Sequence, residues 1–284
     1  MKKQTKKKII TLLIAIIITF LGGLKAKDTF LPVENNLEVH FIDVGQGDST
    51  LLISQGETLL IDGGERDYSS KVISYIENLG IEEIDYMIAT HPHSDHISGL
   101  VGVLNKFKVK NVIRNEEEVD TRVFKSFVKL CDEKDINVTI PKVGDKFTFG
   151  EVEFTIIGPT AYNFDTNNNS IATRVVHGKN SLIFTGDGES MEESTLMYTG
   201  EEIKSKIYHV GHHGSRKATS KEFLEEVNPE YAVISLGKDN MYGHPHKEVL
   251  NRLEENDVKI FRTDLMGSII MVSDGKEVLF SSEK

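Results

Sequence analysis

The run Thr90-His91-Pro92-His93-Ser94-Asp95-His96 constrains this chain more than any other, because it sets three imidazoles and a carboxylate directly behind an apolar strand predicted over Ile84 to Ala89. Such density has little structural use and marks a metal site. Imidazole and carboxylate together suit zinc, manganese or iron. Alternation along an extended loop would aim His91 and His93 one way and Asp95 and His96 toward a neighbouring position, so one loop can serve two metals.

Around that loop the pattern is one of short strands and helices. Leu37 to Val44, Ser49 to Ile53 and Thr58 to Ile61 read as consecutive antiparallel strands that end at Asp62-Gly63-Gly64. Ser70 to Leu79 carries Val72, Ile73, Ile76 and Leu79 at helical spacing. Helices are predicted over Gly99 to Phe107 and Thr121 to Asp132, with a strand over Val109 to Arg114 between them. A second block follows: strands over Lys146 to Ile157, Ile171 to His177 and Ser181 to Thr185, then Gly186-Asp187-Gly188. Helices over Met191 to Met197 and Lys221 to Glu226 then alternate with strands over Lys206 to Val210, Tyr231 to Leu236, Lys259 to Arg262 and Ser268 to Val272. Two halves of similar order predict a pseudo-symmetric layered α/β sandwich.

Residues 1–26 differ in kind from the rest. Lys2, Lys3, Lys6, Lys7 and Lys8 precede an uncharged apolar run, Ile9 to Leu24, whose length lies between a signal core of ~7–15 residues and a full span of ~17–25. The segment reads as a signal sequence or membrane anchor, residues 27–36 as a tether, and 37–284 as the folded domain. With the lysines held inside, the domain is expected at the extracellular face of the membrane, or secreted if the segment is cleaved. Of 33 basic residues, six lysines fall in residues 1–26, leaving 27 against 44 acidic residues and a net charge of −17 beyond them. That field opposes tight, sequence-independent nucleic-acid binding through a broad basic face, although a bound metal would supply local positive charge that the count omits. Cys131 is the only cysteine, which excludes an internal disulfide and a cysteine-based metal cluster.

Seven of the ten histidines follow apolar strands in three loops: His91, His93 and His96; His212 and His213; His244 and His246. With these, His40-Phe41-Ile42-Asp43-Val44-Gly45-Gln46-Gly47-Asp48-Ser49, Leu60-Ile61-Asp62-Gly63-Gly64, Phe184-Thr185-Gly186-Asp187, Val210-Gly211-His212-His213-Gly214-Ser215 and Tyr242-Gly243-His244-Pro245-His246 resemble the metallo-β-lactamase superfamily. Within it they are similar to the hydrolase domain of the ComEC competence channel. The resemblance implies an αββα sandwich with one or two divalent metals, zinc or manganese, at the edge between the sheets. It implies that His91 and His93 serve one metal, Asp95 and His96 the other, that Asp187 bridges them, and that His244 is the late histidine, with His246 competing for that role. Asp62 would orient the histidine loop, and His213 would stand beside the site.

Relatives commonly supply a third histidine to the first metal, and His177 alone occupies that interval. If Ile171 to His177 pairs with Ser181 to Thr185, His177 sits at the hairpin tip, roughly 20–30 Å from Asp187 at ~3.3 Å per residue. Asn168, Asn169 or Ser170 then takes the vacant place, and one metal is expected to be held firmly and the other loosely. Paired cations acidify water and polarise a scissile group, so the ligand set implies hydrolysis. Asp95 would orient the attacking water, His212 would protonate the leaving oxygen, and Ser215 and Ser220 with Arg216 and Lys217 would bind phosphate. The expected function is a phosphodiesterase or nuclease acting on DNA outside the cell. A hydrolase of another ester or a lactone, and a non-catalytic metal-stabilised binding protein, are the competing readings; the last would tolerate loss of His212.

Overall fold

The computed structural model describes residues 36–160 and 165–284. The apolar run Ile9 to Leu24 and nearly all of the 27–36 tether lie outside the described residues, and no described helix is long and apolar enough to cross a membrane. Two sheets stack face to face, each with helices on its outer side. The first half runs β1 (Leu37–Phe41), β2 (Thr50–Ser54), β3 (Glu57–Ile61), α1 (Ser69–Asn78), β4 (Glu83–Ala89), α2 (Ser94–Lys106), β5 (Lys108–Arg114), α3 (Arg122–Glu133) and β6 (Asn137–Thr139). The second runs β7 (Lys146–Phe149), β8 (Val152–Gly158), β9 (Ala172–His177), β10 (Asn180–Phe184), α4 (Ser190–Leu196), β11 (Ile207–His209), α5 (Lys221–Val227), β12 (Tyr231–Ile234), α6 (Lys247–Glu255) and β13 (Lys259–Arg262). A short α7 (Thr263–Met266), β14 (Ile269–Ser273) and β15 (Val278–Ser282) close the chain.

Strand order is β15-β14-β1-β2-β3-β4-β5-β6 in one sheet and β13-β12-β11-β10-β9-β8-β7 in the other. Each sheet changes from antiparallel to parallel partway across, at β3 and at β10. The parallel strands need helical crossovers, and those helices cover the outer faces. Alternation does the sorting. Val39, Phe41, Leu52 and Leu59 point inward to meet Phe154, Ile156 and Phe184 of the facing sheet, whereas Leu51, Leu60 and Met87 point outward to Val72, Leu100 and Phe127. A third core packs Ile183, Tyr208 and Ala232 under Leu196, Phe223 and Leu253. The expected αββα sandwich is therefore present.

Several elements differ from expectation. Lys146 to Ile157 is a hairpin rather than one strand, turned at Gly150 with φ +53°. β6, α6, α7 and β15 were not anticipated; the charged α6 buries only Val249 and Leu253, too few apolar positions to announce a helix. Most consequentially, α2 starts at Ser94 instead of Gly99. Asp95 and His96 thus lie on a helical turn rather than on an extended loop.

Candidate metal centre

The centre forms where the carboxyl ends of the parallel strands of both sheets meet, the crevice in which open α/β sheets hold ligands. Asp62, just past β3, adopts a left-handed φ of +56°. Its Oδ1 accepts the Thr90 N–H at 2.9 Å, and its Oδ2 accepts from Thr90 Oγ1 at 2.7 Å and from His96 Nδ1 at 2.8 Å. A fully buried carboxylate thereby ties the end of β3 to the end of β4 and to α2, and it fixes His96 with Nε2 turned to the cleft. His93 caps α2, and its Nδ1 lies 3.0 Å from His91 Nε2.

Asp187 follows β10 and stands at the centre. His96 Nε2 lies 3.2 Å and His213 Nε2 3.5 Å from its Oδ1, while His91 Nε2 lies 3.8 Å from its Oδ2. Two overlapping sets of donors result, Asp95, His96, Asp187 and His213, and His91, His93 and Asp187, each within 4.8 Å. The residues fit divalent cations on a direct observation: His96 Nε2, His213 Nε2 and Asp187 Oδ1 are buried without a hydrogen-bond partner and converge on one another. An unsatisfied buried polar atom costs about 1–3 kcal/mol, so three together call for a group that joins them. Burial works against charge on Asp187, yet the imidazoles of His96 and His213 outweigh it and hold the carboxyl well below the usual range. Burial likewise opposes protonation of His96 and His213, but facing carboxylates, Asp187 foremost, raise both well above the ordinary imidazole value. His91 moves down, through burial and then through the neighbouring His96.

The late histidine in this cluster is His213, where His244 was expected. His212 and His213 occupy a tight turn with left-handed φ of +48° and +54°, and this turns His213 inward. Its Nδ1 lies 3.1 Å from Ser235 O and 3.2 Å from Asp48 Oδ1, leaving Nε2 for the cluster. Asp48, buried between His209 and His213, was given no role in the site, although it lies in the His40 to Ser49 segment that carries the resemblance. His244 stands outside the donor sets, its ring 6.2 Å from that of His213, and lines the cleft. Burial and the nearby His213 and His212 push it down to about 4. His246 is outside the donor sets as well: its ring lies 5.0 Å from that of His244, and its Nδ1 accepts the Arg216 N–H at 3.1 Å.

The interval before Asp187 divides its residues clearly. Ser170 is the one that touches the cluster: its hydroxyl lies 3.3 Å from His91 Nδ1, the ring nitrogen other than the Nε2 that faces Asp187, and accepts the Asp187 N–H at 3.1 Å. Asn169 instead donates to Glu117, and Asn168 accepts the N–H groups of Glu189 and Glu192. His177 pairs with Asn180 at the hairpin end and bonds Ser273, away from the centre as expected. Ser215 Oγ accepts the Lys217 N–H and Ser220 Oγ accepts the Phe223 N–H at the start of α5, so both hydroxyls stabilise local turns. His212 lines the cleft with Nε2 3.7 Å from Asp187 and Nδ1 3.1 Å from Glu189. The cleft itself, about 290 Å³, is walled by Gln46, His93, Asp95, Asp187, His212 and Tyr242 among others.

An αββα sandwich with a histidine and aspartate cluster at the sheet edge defines a metallo-hydrolase. The chain belongs to the metallo-β-lactamase superfamily, whose profile matches residues 42–238. ComE operon protein 3 of Bacillus subtilis (strain 168) is 32% identical over 251 residues, which are 82% of this chain and 32% of that protein, so the chain spans about a third of that relative's length. Exodeoxyribonuclease YycJ of Bacillus anthracis is 25% identical over 246 residues, 76% of this chain and 90% of that one. The fold is shared with YhfI of Bacillus subtilis, a metallo-β-lactamase fold protein, at a TM-score of 0.59 and 14% identity over 84% of this chain and 100% of the other.

Proposed function

We propose that this protein is a metal-dependent phosphodiesterase whose substrate is a DNA strand. The observation that carries the reading is the convergence of buried, unbonded His96 Nε2, His213 Nε2 and Asp187 Oδ1 at the wall of an open cleft. Divalent cations held by the two donor sets would acidify water and polarise the scissile phosphate. Around them the chain's own groups divide the work. Asp95, a quarter exposed, faces the cleft and orients the attacking water. His212, steadied by Glu189, reaches the same space from the other wall and protonates the leaving oxygen. Similarity to an exodeoxyribonuclease supports DNA as the substrate. The lysine-flanked apolar run Ile9 to Leu24 supports export, with the domain outside the membrane.

The test strips the full chain of metal, reloads it with Mn²⁺ or Zn²⁺, and offers a chromogenic phosphodiester, single-stranded DNA and a lactone. Metal-dependent cleavage of both phosphodiesters, absent in Asp187→Ala, is expected. Lactone hydrolysis without phosphodiester cleavage would overturn the substrate class, and no turnover with metal bound would favour a binding protein.

A further inference from the structure

We propose that Arg66 and Arg122 form a phosphate-binding subsite that guides a single DNA strand toward the metal centre, an inference that rests on the phosphodiesterase reading above. A cavity of about 500 Å³ opens among the helices covering the first sheet, lined by Arg66, Ser69, Ser98, Arg122 and Ser126 with an apolar share from Val101 and Val123. No acid is among its lining residues. That is notable in a chain with 44 acidic residues against 33 basic ones. Neither guanidinium has an ion-pair partner among the described residues, and both side chains belong to exposed residues. Two guanidiniums and the hydroxyls of Ser69 and Ser98 around one hollow suit a phosphodiester: guanidinium takes phosphate oxygens in pairs, and these hydroxyls donate to the rest, whereas Ser126 Oγ already donates to Arg122 O at 2.9 Å. α3 begins at this cavity, at Arg122, so its first free N–H groups add to the positive potential.

Its position ties the cavity to the metal cleft. Ser94 lines the cleft, and Ser98, one turn further along the same face of α2, lines the cavity. The two are about 6 Å apart along the helix axis, so the cavity and the cleft are neighbours on one helix. On the far side, Arg122 and Ser126 also wall a second groove with Lys125, Lys129 and one acid, Asp120. Arg122, Lys125 and Lys129 share one face of α3 through their i, i+3, i+7 spacing. Lys125 pairs with Asp120 and Lys129 lies 3.4 Å from Glu133, exposed pairs that a phosphate backbone displaces at little cost. The larger basic groove at the opposite edge, with Lys179, Lys206 and Lys276, lacks these properties. Glu202, Glu230 and Asp257 line it too, and its Arg174 is committed to Lys204 O through two bonds.

The test measures binding of a short fluorescent single-stranded oligonucleotide to the full chain by anisotropy across a salt series, with chelator present so that cleavage plays no part. The double substitution Arg66→Gln/Arg122→Gln is expected to weaken binding about tenfold at low salt and to make the log K against log salt slope shallower by roughly 1.4, the share of two phosphate contacts. Arg66→Lys/Arg122→Lys retains most of the affinity, and Lys276→Gln in the opposite groove leaves it unchanged. Equal binding by the double Gln variant and the parent would overturn the proposal, as would an equal loss in Lys276→Gln. Arginine-dependent binding to phosphatidylglycerol vesicles without arginine-dependent oligonucleotide binding would also overturn it and assign the cavity to lipid. Failure of the phosphodiesterase reading shows separately, as the absence of cleavage when metal is restored.

Discussion

Asp62 reaches three donors across two strand ends, and the left-handed backbone that lets it do so is one that asparagine also accepts. Asp62→Asn therefore keeps the turn and removes the charge that holds His96. Metal affinity is expected to fall about 10–100-fold, read by competition with a chromophoric chelator; unchanged affinity would reduce Asp62 to a turn residue. The late histidines allow a sharper comparison. His213→Ala should lose the tightly held metal and His244→Ala should keep it, counted as metal per chain after dialysis, and the reverse outcome would return the ligand role to His244. The histidine loop was legible in the sequence because ligand density shows without a fold. His213 was not, since it is an identical neighbour of His212. What separates the two is the backbone turn over Gly211–Gly214 together with Ser235 O and Asp48, groups far away in the chain.

At the scale of elements, α2 carries Asp95 and His96 and is seated by glycine. A side chain at Gly99 would place its Cβ 1.7 Å from Gly63 O, so α2 approaches the turn after β3 as closely as backbone allows. Gly99→Ala is expected to cost about 1–3 kcal/mol in urea unfolding and to lower metal occupancy with it. A variant with parental stability and occupancy would show that the helix has room to shift. The periodicity that predicted a helix from Gly99 tracked its buried apolar positions; its polar first turn, Ser94 to His96, has no such signature and points to the site. In α4, Glu192 is buried with no hydrogen bond at either carboxyl oxygen. Burial first, and then the charge of Glu193, raise it well above the ordinary carboxyl value of 4.5. The folded chain thus holds a proton that the unfolded chain releases near that value, so the stability tied to it is complete below about pH 4.5 and is lost as pH rises toward the folded value. Glu192→Gln should match the parent near pH 4 and exceed it near pH 8 in denaturant unfolding. Parallel stability curves would contradict this.

Across the whole molecule, the two halves share one design and the centre belongs to neither alone. Asp62, His91, Asp95 and His96 come from the ends of the first sheet, and Asp187 and His213 from the second. The layered architecture was readable because strands and helices alternate in two similar blocks, each with its own periodicity. How the blocks face each other was not readable from periodicity, since it depends on interdigitation of side chains such as Phe41 and Phe184 from strands far apart in the chain. Asp187 belongs to both donor sets, joined by Asp95, His96 and His213 in one and by only His91 and His93 in the other. Calorimetric titration of the metal-free full chain with Mn²⁺ reads this asymmetry directly, beside Asp187→Ala. One tight site and one weaker site are expected, with the tight one lost in the variant; two equally tight sites, or a variant that binds like the parent, would contradict a centre built on Asp187.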